Sequence, residues 1–246
     1  MSNTIKKAFE IVKLIEKNQG KYTLTDIVKI LGINKTTAFR NLKTLEELNI
    51  LERINNLYYL GISLFEMGSK VYLKQIIIEK IHPILRELSE EVNETVNLAK
   101  IHNGMVLYLD KIESKRSLQI QSSIGDTLPL YCTSLGKSIL SILPENEMRE
   151  IIKNISFEKT THKTISNPKK LIEQINEIKL KGHSIDDEEF EEGLICISVP
   201  LYLKHHNFYG SFSLSGPSIR FDQATLLKLS KKLKKYKDII IEKLKH

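Results

Sequence analysis

Cys196, His183 and Asp186 are the side chains of this 246-residue sequence best suited to covalent or metal chemistry. A thiolate with an imidazole base makes a nucleophile, and thiolate, imidazole and carboxylate together suit a divalent ion such as zinc. Cys196, however, stands between Ile195 and Ile197, and a cysteine in an apolar strand is more often an inert small side chain. A metal-binding sensor or a small-molecule enzyme built on these three is therefore the lesser alternative, and no catalytic residue and no cofactor is expected. Gly136-Lys137-Ser138 resembles the end of a phosphate loop, but that loop needs a glycine where Tyr131 stands. Ser213 and Ser215, two apart on an expected strand, offer two hydroxyls to one face. A helix beginning near Leu135 would turn its free N–H groups toward the preceding loop, which is a seat for a carboxylate. Asp186 could accept from a ligand hydroxyl, or meet an anionic ligand as a neutral acid. The acidic residues that follow it, Asp187 to Glu189 with Glu191 and Glu192, read as a solvated loop. Cys132 reads as unreactive, and His205-His206 as an exposed turn.

A second chemistry lies near the N-terminus. Ala38, Leu42 and Leu45 mark the inner face of a helix capped by Asn34, which puts Thr36, Arg40 and Lys43 on the opposite side with Thr37, Asn41 and Thr44 flanking and Lys35 at the start. Such side chains suit a major groove: Arg reads guanine, Asn reads adenine, and Thr offers a hydroxyl to phosphate and a methyl to thymine. Before this helix, Ile5, Ala8, Phe9, Val12 and Ile15 form one apolar stripe. Thr23 and Asp26 resemble a capping box opening a short helix that Gly32 ends. After it, Leu51 to Ile54 and Leu57 to Leu60 read as strands around the turn Asn55-Asn56, because Asn tolerates positive φ. Three helices and a hairpin make a winged helix-turn-helix over residues 1–61, with Arg53, Asn55 and Asn56 as wing contacts to DNA backbone or minor groove.

Charge agrees with this division. Residues 1–70 carry 11 basic and 7 acidic side chains, residues 71–227 carry 18 and 21, and residues 228–246 carry 8 and 2. A basic first segment on a mildly acidic body suits a nucleic-acid module joined to a sensing domain. The lysine-rich end alternates with Leu229, Leu233, Tyr236, Ile240 and Leu244 and reads as a packed helix with a solvated face. Two cysteines without metal-ligand spacing argue against a disulfide framework, and no apolar run is long enough to span a bilayer, so a cytoplasmic protein with no membrane partner is expected. A linker helix is expected over 62–80 from Leu64 to Ile78, then a domain over 81–246 opening with a helix from Pro83 to Val92. Strands are expected over 95–101, 105–112, 118–124, 195–203 and 208–214, with helices over 135–143, 144–155, 168–180 and 222–244. The fold class is α+β, with a mixed, largely antiparallel sheet flanked by helices.

The order of several segments resembles the IclR family of transcription regulators. They are Ile5 to Ile11, Tyr59-Leu60-Gly61 with Leu64 and Gly68, Gly125 to Leu130, and Thr133-Ser134-Leu135-Gly136-Lys137-Ser138. Gly182 to Glu189, Gly193-Leu194-Ile195-Cys196-Ile197-Ser198-Val199-Pro200 and Ser213-Leu214-Ser215-Gly216-Pro217 complete them. The resemblance implies a GAF-like C-terminal domain that binds a small organic-acid or sugar-acid effector. It also implies a homodimer or dimer of dimers on a palindromic operator in double-stranded DNA. It assigns the effector pocket to Ser134, Leu135, Gly136, Asp186, Cys196, Ser213 and Ser215, with Ile120 and Leu194 as apolar walls. Many members carry a smaller residue at the positions of Ser134 and Leu135, so a tighter or differently hydrogen-bonded pocket is expected.

Overall fold

The computed structural model describes residues 3–73, 77–116 and 122–244, and the chain divides into two compact units, residues 1–74 and 75–246. The first unit opens with α1 (Asn3–Lys17), α2 (Leu24–Leu31) and α3 (Lys35–Glu47), followed by the hairpin β1 (Leu51–Ile54) and β2 (Leu57–Leu60) and by α4 (Ile62–Ser69). The capping box is formed: the Asp26 N–H donates to Thr23 Oγ1 at 3.3 Å and the Thr23 N–H donates to Asp26 Oδ2 at 2.9 Å. Gly32 ends α2 with φ +61°, a left-handed conformation that favours a residue without Cβ. Asn55 and Asn56 take φ of +50° and +66°, as a two-residue hairpin turn requires.

The core of this unit gathers Ile11, Ile15, Ile27, Ala38, Leu42, Leu45, Leu51 and Tyr58. The buried stripe of α1 therefore runs through Ile11 and Ile15 with Ala8 and Val12 beside them, whereas Ile5 and Phe9 are exposed. The linker helix expected over 62–80 is interrupted: α4 ends at Ser69, next to Gly68, where the Ser69 hydroxyl turns back onto the Glu66 carbonyl at 2.8 Å, and helical backbone resumes at residues 72–73. Residues 74–76 lie outside the described residues.

The second unit begins with a π-helical turn (Ile77–Ile81) that runs into α5 (His82–Val92). Then come β3 (Thr95–His102), β4 (Met105–Ile112), the short β5 (Thr127–Leu128), α6 (Ser134–Ile142), α7 (Glu145–Lys153) and α8 (Pro168–Lys181). β6 (Ser184–Asp187), β7 (Leu194–Leu203), β8 (Phe208–Pro217) and α9 (Gln223–Lys243) complete the unit. The six strands form one sheet in the order β5-β4-β3-β8-β7-β6, every pair antiparallel. Of the strand expected over 118–124, residues 117–121 lie outside the described residues and 122–124 are turn and coil. Asp186 and Asp187, which open the acidic run expected to be a solvated loop, instead lie with Ser184 and Ile185 in an edge strand on β7.

Strand alternation gives the sheet two different faces. Val96, Leu98, Ile197, Val199, Leu201, Phe212 and Leu214 are all buried and share the face covered by α5 and α9. The other face carries Asn97, Cys196, Ser198, Ser211, Ser213 and Ser215, and α6 packs there, held by the Ser211 hydroxyl on the Leu135 carbonyl at 2.9 Å. Thr23→Ala, which removes the cap of α2, is expected to lower the stability of the N-terminal unit by about 1 kcal/mol in urea melts.

Candidate functional site

In the N-terminal unit, Asn34 Oδ1 accepts from the Thr36 N–H at 2.8 Å and fixes the start of α3. Lys35, Thr36, Arg40, Lys43 and Thr44 are exposed and Thr37 is half-buried, so six of the seven expected groove-facing residues reach solvent. Asn41 does not. It is buried, and its Nδ2 has no hydrogen-bond partner. The reason is helical spacing: position 41 is three residues after Ala38 and four before Leu45, on the core stripe. Phe39 was missed; at 52% exposure it lies on the outer face between Thr36 and Lys43, where an aromatic edge suits a thymine methyl. On the wing, Arg53 donates to Asn56 Oδ1 and its guanidinium lies 5.9 Å from the centroid of the Tyr58 ring, so the cation is held at the tip of the hairpin.

In the C-terminal unit the register assembles a second site. Asp186 pairs with Cys196 and Cys196 with Ser215, giving one cross-strand row. Ser184, Ser198, Ser213 and Asn97 form the adjacent row on the same face. Above these rows lies a small cavity of about 80 Å³, bordered by the N-terminal end of α6. Ser134, Leu135, Asp186, Leu194, Cys196, Ser213 and Ser215 line it as expected. Ile120 lies outside the described residues. Gly136 is not a wall: a Cβ there would meet the Leu130 carbonyl oxygen at 2.3 Å, so the glycine serves the close approach of α6 to the preceding segment.

The sequence reading missed half of the lining. Asn97 stands opposite Ser213 and donates through Nδ2 to Ser215 Oγ at 3.2 Å. Tyr108, Leu128 and Phe190 add apolar and aromatic surface, Ser122 and Thr133 add hydroxyls, and Asp126 and Glu191 add carboxylates. The signal for Asn97 was alternation, since Thr95, Asn97 and Ala99 share the face of β3 that bears its small and polar residues. Four buried polar atoms on this wall have no partner: Asn97 Oδ1, Ser122 Oγ, Ser134 Oγ and Ser213 Oγ. Buried polar groups in folded proteins are nearly always satisfied, so four orphans around one cavity mark a place for polar atoms from outside the chain, of water or of a ligand.

Electrostatics sharpen the site. Asp186 Oδ1 accepts the N–H groups of Glu189 at 2.8 Å and Phe190 at 3.4 Å. Burial nevertheless raises its carboxyl to about 7, against the pull of Lys137 and with a push from Glu189. Burial also pushes the Cys196 thiol up, aided by Asp186, and the Cys132 thiol up to about 12, so both are poor nucleophiles. His183 precedes β6 on the side opposite to Ser184 and Asp186, and its Nδ1 lies 3.2 Å from the Lys181 carbonyl. The thiol, imidazole and carboxylate considered as a metal or catalytic set therefore do not converge. Among the described residues, no three His, Cys, Asp or Glu side chains gather as a metal site. Gly136→Ala is expected to destabilise the C-terminal unit by about 1–3 kcal/mol through overpacking against Leu130, seen as a lowered thermal midpoint.

Known proteins carry the same two units. Residues 4–54 match the IclR helix-turn-helix domain and residues 70–240 match the bacterial transcriptional regulator IclR C-terminal domain. The HTH-type transcriptional regulator KdgR of Dickeya chrysanthemi is 30% identical over 90% of this chain and 73% of its own. The crystal structure of the Thermotoga maritima IclR superposes with a TM-score of 0.75 at 31% identity over the whole of both chains. An IclR homologue of Microbacterium hydrocarbonoxydans complexed with 4-hydroxybenzoate has the same fold, with a TM-score of 0.86 at 18% identity over 98% of this chain and 99% of its own. The two domain matches, in this order and over most of the sequence, establish that the chain belongs to the IclR family of helix-turn-helix transcriptional regulators.

Proposed function

We propose that this regulator binds a palindromic operator in double-stranded DNA as a homodimer or dimer of dimers, and that a small organic acid or sugar acid in the C-terminal cavity modulates that binding. Lys35, Thr36, Thr37, Arg40, Lys43 and Thr44 read the major groove, and Arg53, Asn55 and Asn56 contact backbone or minor groove from the wing. The protein acts in the cytoplasm, needs no metal or cofactor and catalyses no reaction.

The observation that carries the effector half is the group of four unpartnered polar atoms around the cavity at the start of α6. The ligand's carboxylate is seated at the helix N-terminus beside Ser134, and its hydroxyl or carbonyl oxygens meet Asn97, Ser213 and Asp186. At about 80 Å³ the cavity is far smaller than the roughly 300–1,000 Å³ sites of drug-sized ligands, which favours a compound of a few carbons. The homologue solved with 4-hydroxybenzoate supports an acid as the ligand class.

The test is a titration of the purified protein against its own upstream DNA at two salt concentrations, with and without glycolate, lactate, glycerate and gluconate. Specific, salt-sensitive binding altered by one of these acids supports the whole reading; binding to random DNA with equal affinity overturns it. In the same assay Arg40→Ala is expected to weaken operator binding about tenfold or more and relax the base preference, as the loss of a contact worth ~1–3 kcal/mol implies. Acid affinity should also depend on pH. Asp186, raised to about 7, is a neutral donor below that pH and a repelling carboxylate above it. Calorimetry between pH 6 and 9 should therefore give an affinity that is full at the acid end and falls by about tenfold per pH unit above 7, and Asp186→Asn should flatten the profile.

A further inference from the structure

Lys137 is the first-turn residue of α6 that the phosphate-loop comparison singled out and the DNA and effector roles left unused. Its side chain is wholly buried. The three protons of its ammonium meet three acceptors: Gln174 Oε1 on α8 at 2.8 Å, the Ile185 carbonyl on β6 at 2.6 Å, and the Glu189 carboxylate. Stability alone gives little reason for such a pair, since well-packed apolar residues in place of a buried ion pair are often neutral or stabilising. Glu189 Oε2 is moreover buried without a partner, which a purely structural pair would not favour.

The two acceptors nearest Asp186 bracket it in sequence. Ile185 precedes Asp186 directly, and the Glu189 N–H is the donor to Asp186 Oδ1. The turn between them is held in a costly shape: Glu188 has φ +58°, and the Glu189 carbonyl accepts hydroxyls from Thr161 at 3.2 Å and Thr164 at 2.7 Å. On the other side, Lys137 shares the first turn of α6 with Ser134 and Leu135, which wall the cavity. One buried cation thus ties the helix end that faces the cavity to the strand and turn that carry its carboxyl group.

We propose that the Lys137–Glu189 pair is a positioning device for effector recognition, fixing the distance between the N-terminus of α6 and the Asp186 carboxyl so that an acid is selected by the spacing of its two polar ends. This rests on the effector reading of the cavity given above. Asp186 faces Lys137 from α6, the Cys132 thiol from the segment before it, Glu189 from its own turn, the Cys196 thiol from β7 and the Tyr108 hydroxyl from β4, with Asp126 and Glu191 as the other carboxylates of the wall. Lys137 is the one cation in this set, so its removal must be felt at Asp186.

The experiment compares the full-length wild-type protein with K137M, E189Q and the double variant K137M/E189Q. Thermal midpoint, affinity for upstream DNA without acid, affinity for lactate, glycerate and gluconate, and the pH titration of the Asp186 carboxyl carbon by NMR are read for each. The double variant is expected to bind DNA within twofold of wild type and to bind the preferred acid at least about tenfold more weakly, with discrimination among the three acids reduced. In ligand-free K137M the Asp186 titration is expected to move up by about half a pH unit or more, because the cation that favours its ionised form is gone. A folded double variant that keeps acid affinity and discrimination within twofold, or an Asp186 titration that does not move in K137M, overturns the proposal. If the double variant does not fold, E189Q, which keeps the cation and two of its acceptors, carries the affinity comparison. If the wild-type protein binds none of the acids, the effector class is wrong, and the Asp186 titration in K137M still decides whether Lys137 governs that carboxyl.

Discussion

The antiparallel register of β6, β7, β8 and β3 is the constraint on which the C-terminal unit depends. It lays Asp186, Cys196 and Ser215 in one row and Ser184, Ser198, Ser213 and Asn97 in the next, on one face of the sheet. Small side chains there let α6 come close, and their hydroxyls tie it down: Ser184 donates to the Ser134 carbonyl and Ser211 to the Leu135 carbonyl. Ser138, Ser184 and Ser198 hold one another by their hydroxyls, with Ser138 and Ser198 only 2.7 Å apart. A one-residue slip of β8 would exchange Ser213 and Ser215 for Leu214 with Phe212 or Gly216, turning the apolar face toward the cavity. The hydrophobic layer under α5 and α9 therefore fixes the polar layer opposite it, because both are read off the same strands.

That arrangement divides the serines by function. Those under the body of α6 are satisfied by one another and by helix carbonyls, whereas Ser122, Ser134 and Ser213, which line the cavity, have hydroxyls with no partner. Leaving such groups unpaired costs on the order of 1–3 kcal/mol each, a penalty that a bound ligand can relieve. An effector that relieves it favours whichever arrangement of the protein keeps the cavity in this form. It can change DNA affinity only by binding one arrangement better than another.

Much of this was legible in the sequence, and the failures share a physical cause. Caps, turn residues and periodicity specify the N-terminal helices and hairpin locally: Thr23 with Asp26, Gly32, Asn34 and Asn55-Asn56 all do what their chemistry favours. Asn41 failed because residue type was weighed above its position on the core stripe. Ile5 and Phe9 failed because an apolar pattern does not say which of two adjacent flanks meets the core. In the C-terminal unit, seven of nine expected pocket residues line the cavity, and those assignments came from family resemblance. Asn97, Tyr108 and Asp126 are brought in by β3, β4 and the segment before β5, which only the tertiary pairing places. His183 looked like a partner of Asp186 at three residues' separation, but a strand between them sends the two side chains to opposite faces. Lys137 was the least legible, since nothing local announces that a lysine between Gly136 and Ser138 will be buried whole.

The charges around the cavity limit what can enter it. Its described lining carries Asp126, Asp186 and Glu191 but no lysine, arginine or histidine; of the cations behind it, Lys137 is bound to Glu189, and Lys111 to Glu113 and the Ser122 carbonyl. A monocarboxylate is acceptable when Asp186 is protonated and the end of α6 supplies partial positive charge. A dicarboxylate would bring a second negative charge against these carboxylates, with no cation in the described lining to compensate its desolvation, and burying an unpaired charge is far more costly than burying a hydroxyl. Hydroxyl groups meet the opposite situation, because Asn97 Oδ1, the free serines and the carboxylates all accept from them. On the effector reading proposed above, selection by this wall thus works on charge before shape. Such a wall would exclude polyanions, admit one carboxylate together with a proton, and reward each hydroxyl the small volume can hold.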